Sequence, residues 1–235
     1  MPELTPVAAL VPVRVWDLPT RLFHWLLALA VAGSVISAKI GGAAMAWHFR
    51  FGYVVLTLIV FRVLWGLVGG RWSRFASFIY APSTLWHYLR YLRGQSPARE
   101  TLDVGHSPTG ALSVFALLAI VAVQLGTGLV ADDEIANQGP LIRYVSGETS
   151  LLATSWHKTW GQWLVLGLVA LHITAIAFYF FKKRINLVGP MVSGDKQLPA
   201  STPASTDGVT QRLLATVVLV LCLGLAWWVS KQAGF

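Results

Sequence analysis

Four of the six histidines in this chain lie in or at the ends of long apolar segments, where ionisable side chains are costly and rare. They are His24, His48, His157 and His172. His157 and His172 are separated by about 22 Å along a continuous helix, and both side chains then point broadly to one side. If His48 lies level with His157, and His24 level with His172, the four residues form two histidine pairs stacked across a membrane.

Paired histidines inside a helical bundle are suited to axial ligation of haem iron. We therefore expect two b-type haems per chain, an outer one between His48 and His157 and an inner one between His24 and His172. Gly52 and Gly161 each follow an outer histidine in an H-x-x-x-G pattern, which predicts bare helix surface for a flat macrocycle. Glycine is also frequent in membrane helices for other reasons.

Haem propionates are anionic and favour cations near the membrane interface. Arg50 and Lys158 are adjacent or close to the outer histidines, so we expect them to serve the outer haem. Arg62 follows His48 on nearly the same helix face, about 21 Å deeper, which predicts a role at the inner haem. An arginine inside an apolar segment needs such a partner.

Three residues at the same end of the predicted helices as His24 and His172 are candidates for lining a quinone site, namely Asp17, Arg21 and His106. Quinone reduction consumes protons, which these side chains could help to deliver. Capping and interfacial anchoring are equally good explanations for Asp17 and Arg21. His106, in GHSPTGA, could instead stabilise a turn or contact a propionate.

The segments that must position these residues are membrane helices. Of 235 residues, 55% are hydrophobic and only 12% are charged, about half the charge of a typical soluble domain. Five apolar runs have about the length a spanning helix needs. They cover about 21–39, 48–69, 109–131, 157–181 and 212–230. Asp17 or Thr20 is expected to cap the first helix, with Pro19 in its first turn.

The distribution of lysine and arginine predicts the orientation of the chain. These residues concentrate in 1–21, 70–108 and 182–212, which places the N-terminus in the cytoplasm and the C-terminus in the periplasm of a bacterial inner membrane. The net charge of +8 is explained by orientation and contact with membrane lipid, and no nucleic-acid motif is present. The single cysteine, Cys222, excludes disulfides within the chain and a C-x-x-C-H haem attachment.

The chain divides into three parts by composition. Residues 1–192 are expected to form a four-helix transmembrane domain that binds two stacked haems. Residues 193–210 are rich in Pro, Ser and Thr and are predicted to be a linker. Residues 211–235 add a fifth transmembrane helix. Within the first part, 75–100 is amphipathic, aromatic and basic, which predicts a helix lying on the cytoplasmic surface.

The chain resembles the bacterial di-haem cytochrome b561 family, which includes the cytochrome b subunits of nickel-iron hydrogenases. The similarity lies in VRVWDLPTRLFHW, in the histidine that opens the second helix, in GHSPTGAL and in SWHKTWGQWLVLGLVALH, within about residues 13–192. It implies two b haems ligated by His24, His48, His157 and His172, and electron exchange with quinone. It also implies a periplasmic c-type cytochrome or another redox subunit as partner.

The predicted function is electron relay between a periplasmic-side partner and the quinone pool. Ligation by two histidines leaves no open iron position, which disfavours oxygen chemistry at iron. A superoxide:quinone oxidoreductase and a hydrogenase cytochrome b subunit are alternatives within the redox class. A histidine-lined metal transporter would favour carboxylates inside the spans, and there are none. A purely structural membrane anchor would leave the paired histidines and Arg62 unexplained.

Overall fold

The computed structural model describes residues 9–95 and 104–233, and helices dominate it. In chain order its elements are β1 Leu10–Arg14, α1 Leu18–Ile40, α2 Met45–Val68, α3 Pro82–Leu92, α4 Pro108–Leu129, α5 Gly147–Trp156, α6 Gln162–Phe181, α7 Val188–Ser193, β2 Asp195–Pro199 and α8 Val209–Ser230. Five helical segments are long and apolar enough to cross a membrane, which confirms the predicted helical membrane protein. We call the end that holds the start of α1 the inner end, and the opposite one the outer end.

Helix α2 is the most buried of the spanning helices. It packs along α1 and along α8, and it also contacts α4, which pairs with α6. Phe61 and Trp65 of α2 share one apolar cluster with Cys222 of α8. The fifth spanning helix therefore packs on the core, a point that the sequence left open.

The first helix begins as the sequence predicts. Asp17 is the N-cap of α1, and its carboxylate accepts a hydrogen bond from the backbone N–H of Thr20. Pro19 lies in the first turn, where a missing N–H costs nothing. The cap fixes the start of the helix that carries His24.

The segment 193–210, which its composition predicts to be a linker, contains regular structure. It contains β2, which pairs antiparallel with β1, and Ser205 N–H donates to the backbone oxygen of Arg14. Asp207 accepts hydrogen bonds from the guanidinium groups of Arg14, at 2.6 Å, and Arg212, at 3.3 Å. A polar composition is compatible with a segment that runs across the membrane surface in strands and turns, and it is equally compatible with a linker. The division into a four-helix domain and an added helix stays a prediction.

Two other segments differ from their predicted bounds. The span expected at 157–181 is part of one helical segment from Gly147 to Phe181, so His157 lies inside it rather than at its start. A π-helical turn at His157–Gly161 joins α5 to α6. The surface helix expected over 75–100 is α3, preceded by a short turn at Phe75–Ser77, and 96–100 lie outside the described residues.

Candidate haem and quinone sites

The structure brings the outer pair together between α2 and the π-helical turn. The ring centres of His48 and His157 are 5.9 Å apart, and the ring planes are nearly perpendicular at 82°. A metal ion bound by two imidazole nitrogens at about 2.0–2.1 Å would separate the ring centres by about 6 Å. The spacing of this pair therefore fits one iron atom between the rings.

Hydrogen bonds fix the orientation of both outer rings. His48 Nδ1 lies 2.9 Å from the backbone oxygen of Ser34, and His157 Nδ1 lies 2.8 Å from the backbone oxygen of Gln124. A carbonyl only accepts, so each Nδ1 carries the proton and each Nε2 keeps its lone pair. Metal-bound histidines usually show this arrangement, in which the second ring nitrogen donates to a carbonyl or carboxylate.

A cavity of about 580 Å³ lies beside the outer pair and is lined by all four helices of the predicted core. This volume is in the range typical of cofactor sites. His48, His157 and Gly52 line it, and a Cβ added to Gly52 would meet no atom within 4 Å. Gly52 therefore provides the bare helix surface that the sequence predicted.

Gly161 has a different place from the one predicted. A Cβ there would collide with the side-chain oxygen of Gln124 and would lie 2.7 Å from Trp156 Nε1, so the position is filled from α4 and not open to the cavity. The π-helical turn explains the difference, because its extra residue rotates the following positions away from the face of His157. Gly128 was missed in the sequence, although a Cβ on it would lie 2.7 Å from His157 Cε1.

The cations near the outer pair also differ in part from the prediction. Lys158 lines the cavity, together with Lys39, which no pattern in the sequence indicated. Arg50 is exposed and lies over the ring of Trp47, 4.7 Å from its centre, and does not line the cavity. Its predicted contact with an outer propionate is not supported, because it follows His48 by half a turn and so faces outward.

The inner pair has a similar spacing. The ring centres of His24 and His172 are 6.3 Å apart, with 52° between the ring planes. Nδ1 of His24 is buried and has no hydrogen-bond partner among the described residues. The inner pair therefore has room for one iron atom, but it lacks the carbonyl partners that orient the outer rings.

Arg62 is buried near the inner end of α2, 2% exposed. Its guanidinium lies 4.6 Å from the ring centre of Phe75 and 6.0 Å from that of Phe23. Nη1 has no hydrogen-bond partner in the part of the chain that the structure describes. A buried donor of this kind is available for an anionic group such as an inner propionate.

His106 stands in an aromatic enclosure at the inner end. Its ring centre is 4.7 Å from that of Trp16 and 4.4 Å from that of Phe78. Burial, together with the positive charges of Arg62 and Lys196 and with His24, lowers the pKa of His106 to about 3. The ring is therefore neutral at physiological pH, and it packs against the two aromatic rings.

The other two candidates for a quinone site are tied into the fold. Asp17 is fully buried and accepts four hydrogen bonds, so it has no surface to offer a quinone. Arg21 donates to the backbone oxygen of Val192 at 2.5 Å and lies 4.0 Å from Asp207. Both residues hold α1 to its neighbours, and the structure does not support Asp17 as a quinone contact.

The donor sets of both pairs fit haem better than a bare metal ion. Within residues 9–95 and 104–233, no group of three or more His, Cys, Asp or Glu residues could hold a metal ion. Two facing imidazoles leave the remaining positions of an iron atom to the four nitrogens of a macrocycle. An apolar cavity with glycine on one wall and lysines along its edge suits such a group.

A bundle of membrane helices with facing histidine pairs is the arrangement of a membrane-bound b-type cytochrome. Residues 15–194 match the family model of the prokaryotic cytochrome b561, and the chain belongs to this family. The match ends before α8. Membership confirms the resemblance seen in the sequence and implies b-type haem.

Curated relatives are similar over nearly their whole length. The probable Ni/Fe-hydrogenase B-type cytochrome subunit of Azotobacter chroococcum is 26% identical, over 81% of this chain and 91% of the relative. The probable Ni/Fe-hydrogenase 1 B-type cytochrome subunit of Escherichia coli K12 is 25% identical, over 77% and 88%. No solved structure gives a significant match to the chain.

Proposed function

We propose that this protein is the haem-carrying membrane subunit of a hydrogenase-type complex and passes electrons from a redox subunit at the outer end to quinone at the inner end. The observation that carries the proposal is the placement of two histidine pairs, at ring spacings of 5.9 and 6.3 Å, toward opposite ends of one bundle. The names of the similar proteins favour a hydrogenase partner over the periplasmic c-type cytochrome first predicted.

Two b haems, when bound, supply one-electron couples that the chain holds in place. His48 and His157 would ligate the outer haem, and His24 and His172 the inner one. The apolar cavity walls exclude water, and the buried charge of Arg62 favours an electron at the inner site. Ser34 and Gln124 hold the outer rings with the Nε2 lone pairs free for iron.

The orientation is part of the proposal. The cation-rich segments 70–95 and 182–212 lie at the inner end, so the positive-inside rule places this end in the cytoplasm of a bacterial inner membrane. The loop before α5 would then face the periplasm, next to the outer pair and its cavity. Asp17 and Arg21 are engaged in hydrogen bonds within the fold, so His106, near the inner pair, is the remaining one of the three candidates to approach a quinone.

The proposal is tested by supplying hydrogen to membranes that contain the chain and its hydrogenase subunits, while the haem absorbance is followed. We expect hydrogen to reduce the haem and added quinone to reoxidise it. In a His172→Ala variant, hydrogen should still reduce the outer haem, but quinone should no longer reoxidise it quickly. Haem that stays oxidised under hydrogen, yet is reduced by a c-type cytochrome, would contradict the choice of partner.

A further inference from the structure

The region around His157 has a feature that haem ligation alone does not require. The helical segment from Gly147 to Phe181 is interrupted by a π-helical turn that begins at His157 itself. Such turns are rare, occur mostly as single insertions in α-helices and are frequent at functional sites. The turn needs an anchor outside the helix, because its backbone departs from the regular hydrogen-bond ladder.

Gln124 of α4 provides that anchor at two points. Its side-chain Nε2 donates to the backbone oxygen of His157 at 2.9 Å, and its backbone oxygen accepts from His157 Nδ1 at 2.8 Å. One residue thus holds both the main chain and the ring of the histidine. The first bond stabilises the turn, and the second sets the tautomer and the direction of Nε2.

Glycines make this contact possible from both sides. A Cβ on Gly161 would collide with the side-chain oxygen of Gln124, and a Cβ on Gly128 would press on the ring of His157. The side-chain oxygen of Gln124 has no hydrogen-bond partner among the described residues, although it is buried. The amide is therefore held there by its contact with His157 and by the space that Gly161 leaves.

We propose that Gln124 is a positioning residue that, through the π-helical turn, sets the ring orientation of His157 and so the ligand field and retention of the outer haem. The inference rests on the proposed function, because it requires His157 to be an iron ligand. The inner pair serves as an internal reference, since His24 Nδ1 has no comparable partner in the described chain.

The test compares Gln124→Ala, Gly161→Ala and the control Gly126→Ala in the full haem-loaded protein. Gly126 is also on α4, and a Cβ there meets nothing within 4 Å. The readouts are the low-spin electron paramagnetic resonance signals of the two haems and the rate of haem transfer to apomyoglobin. Loss of a residue that orients a metal ligand typically lowers metal affinity about 10–100-fold.

Gln124→Ala removes the bond to the backbone oxygen of His157 but keeps the main-chain oxygen that accepts from its ring. We therefore expect Gln124→Ala and Gly161→Ala to shift the signal of the outer haem and to speed its loss by about 10-fold, the lower end of that range, with the inner haem unchanged. Gly126→Ala should match the wild type. When Gln124→Ala and Gly161→Ala are combined, the methyl group added at position 161 occupies space left by the lost amide but restores no donor to His157. The shifted signal of the outer haem should therefore remain.

Unchanged outer-haem signals and transfer rates in Gln124→Ala would overturn the positioning role. If Gln124→Ala does not accumulate, Gln124→Met keeps a similar length and volume but removes the donor, and the same comparison applies. The proposed function itself would be refuted by a wild-type protein that lacks the outer haem, or by a His157→Ala variant that keeps the outer haem.

Discussion

The buried carboxylate of Asp17 offers a sharp test of the packing at the inner end. Oδ1 accepts from Thr20 N–H at 2.8 Å and from Trp65 Nε1 at 3.2 Å. Oδ2 accepts from Gly70 N–H at 3.1 Å and from the Ser73 hydroxyl at 2.6 Å. One side chain therefore caps α1 and ties it to the end of α2 and to the loop that follows.

The hydrogen bonds around Asp17 determine how much stability Asp17→Asn should lose. The amide oxygen can keep the bonds from Thr20 and Trp65, while the amide nitrogen faces Gly70 N–H and leaves that donor unpaired. An unpaired buried donor costs about 1–3 kcal/mol, and loss of charge weakens the other bonds further. We expect a loss of about 2–4 kcal/mol, and about 4 kcal/mol or more for Asp17→Ala, which leaves all four donors without an acceptor.

The assay is thermal unfolding in detergent, followed by intrinsic fluorescence, with quinone reduction measured on the same samples below the transition. At about 2–4 °C per kcal/mol, Asp17→Asn should lower the midpoint by about 4–16 °C. Glu148→Gln, at an exposed site in the first turn of α5, should change it by about 3 °C at most. An unchanged midpoint together with lost quinone reduction would refute the structural role and restore Asp17 as a quinone-site residue.

Three further predictions concern other parts of the molecule. His106 is neutral when folded because its pKa is lowered to about 3, so acid favours the unfolded state. Through this group the free energy of unfolding should fall by about 1.3 kcal/mol between neutral pH and about pH 5.5, and the thermal unfolding midpoint of His106→Gln should depend less on pH. Gly52→Phe fills the outer cavity, so haem content should fall by one per chain, whereas Gly224→Phe, on an open face of α8, should leave it unchanged. Asp207→Ala removes one of the two acceptors of Arg14 and the acceptor of Arg212 Nε, so limited proteolysis should cut near α8 faster than in the wild type, and equal rates would contradict the role of Asp207 in fastening that helix.

The helices and the proximity of the histidines could be predicted from the sequence because both depend on regular geometry. Long apolar runs define spans, and a constant rise per residue places His48 opposite His157 and His24 opposite His172. The cap at Asp17 follows from local chemistry in the same way. These features involve few residues and little tertiary context.

The remaining features depend on contacts between distant segments. The π-helical turn shifts Gly161 away from the cavity, and no periodic pattern in the sequence signals such an insertion. The ribbon of β1 and β2 joins segments at opposite ends of the chain. Gln124 and Ser34 act partly through backbone oxygens, which every residue has, so their types gave no signal.

The surroundings of Lys39 and Asp17 also depend on contacts with segments that the local sequence does not reveal. Lys39 and Arg50 both lie near the outer end. The turn between α1 and α2 brings Lys39 to the cavity, whereas Arg50, half a turn after His48 on α2, faces outward and lies over Trp47. Asp17 looked available for proton transfer because three of its four donors, in Trp65, Gly70 and Ser73, come from residues that no local pattern links to it.

The assignment of two haems to the two histidine pairs is tested by haem content per chain, measured as pyridine haemochrome on purified protein made with ample haem supply. We expect two b haems in the wild type. We expect one in His48→Ala, with the inner haem kept, and one in His24→Ala, with the outer haem kept. A wild type with no haem, or with a haem content that neither substitution changes, would contradict the assignment of the two histidine pairs.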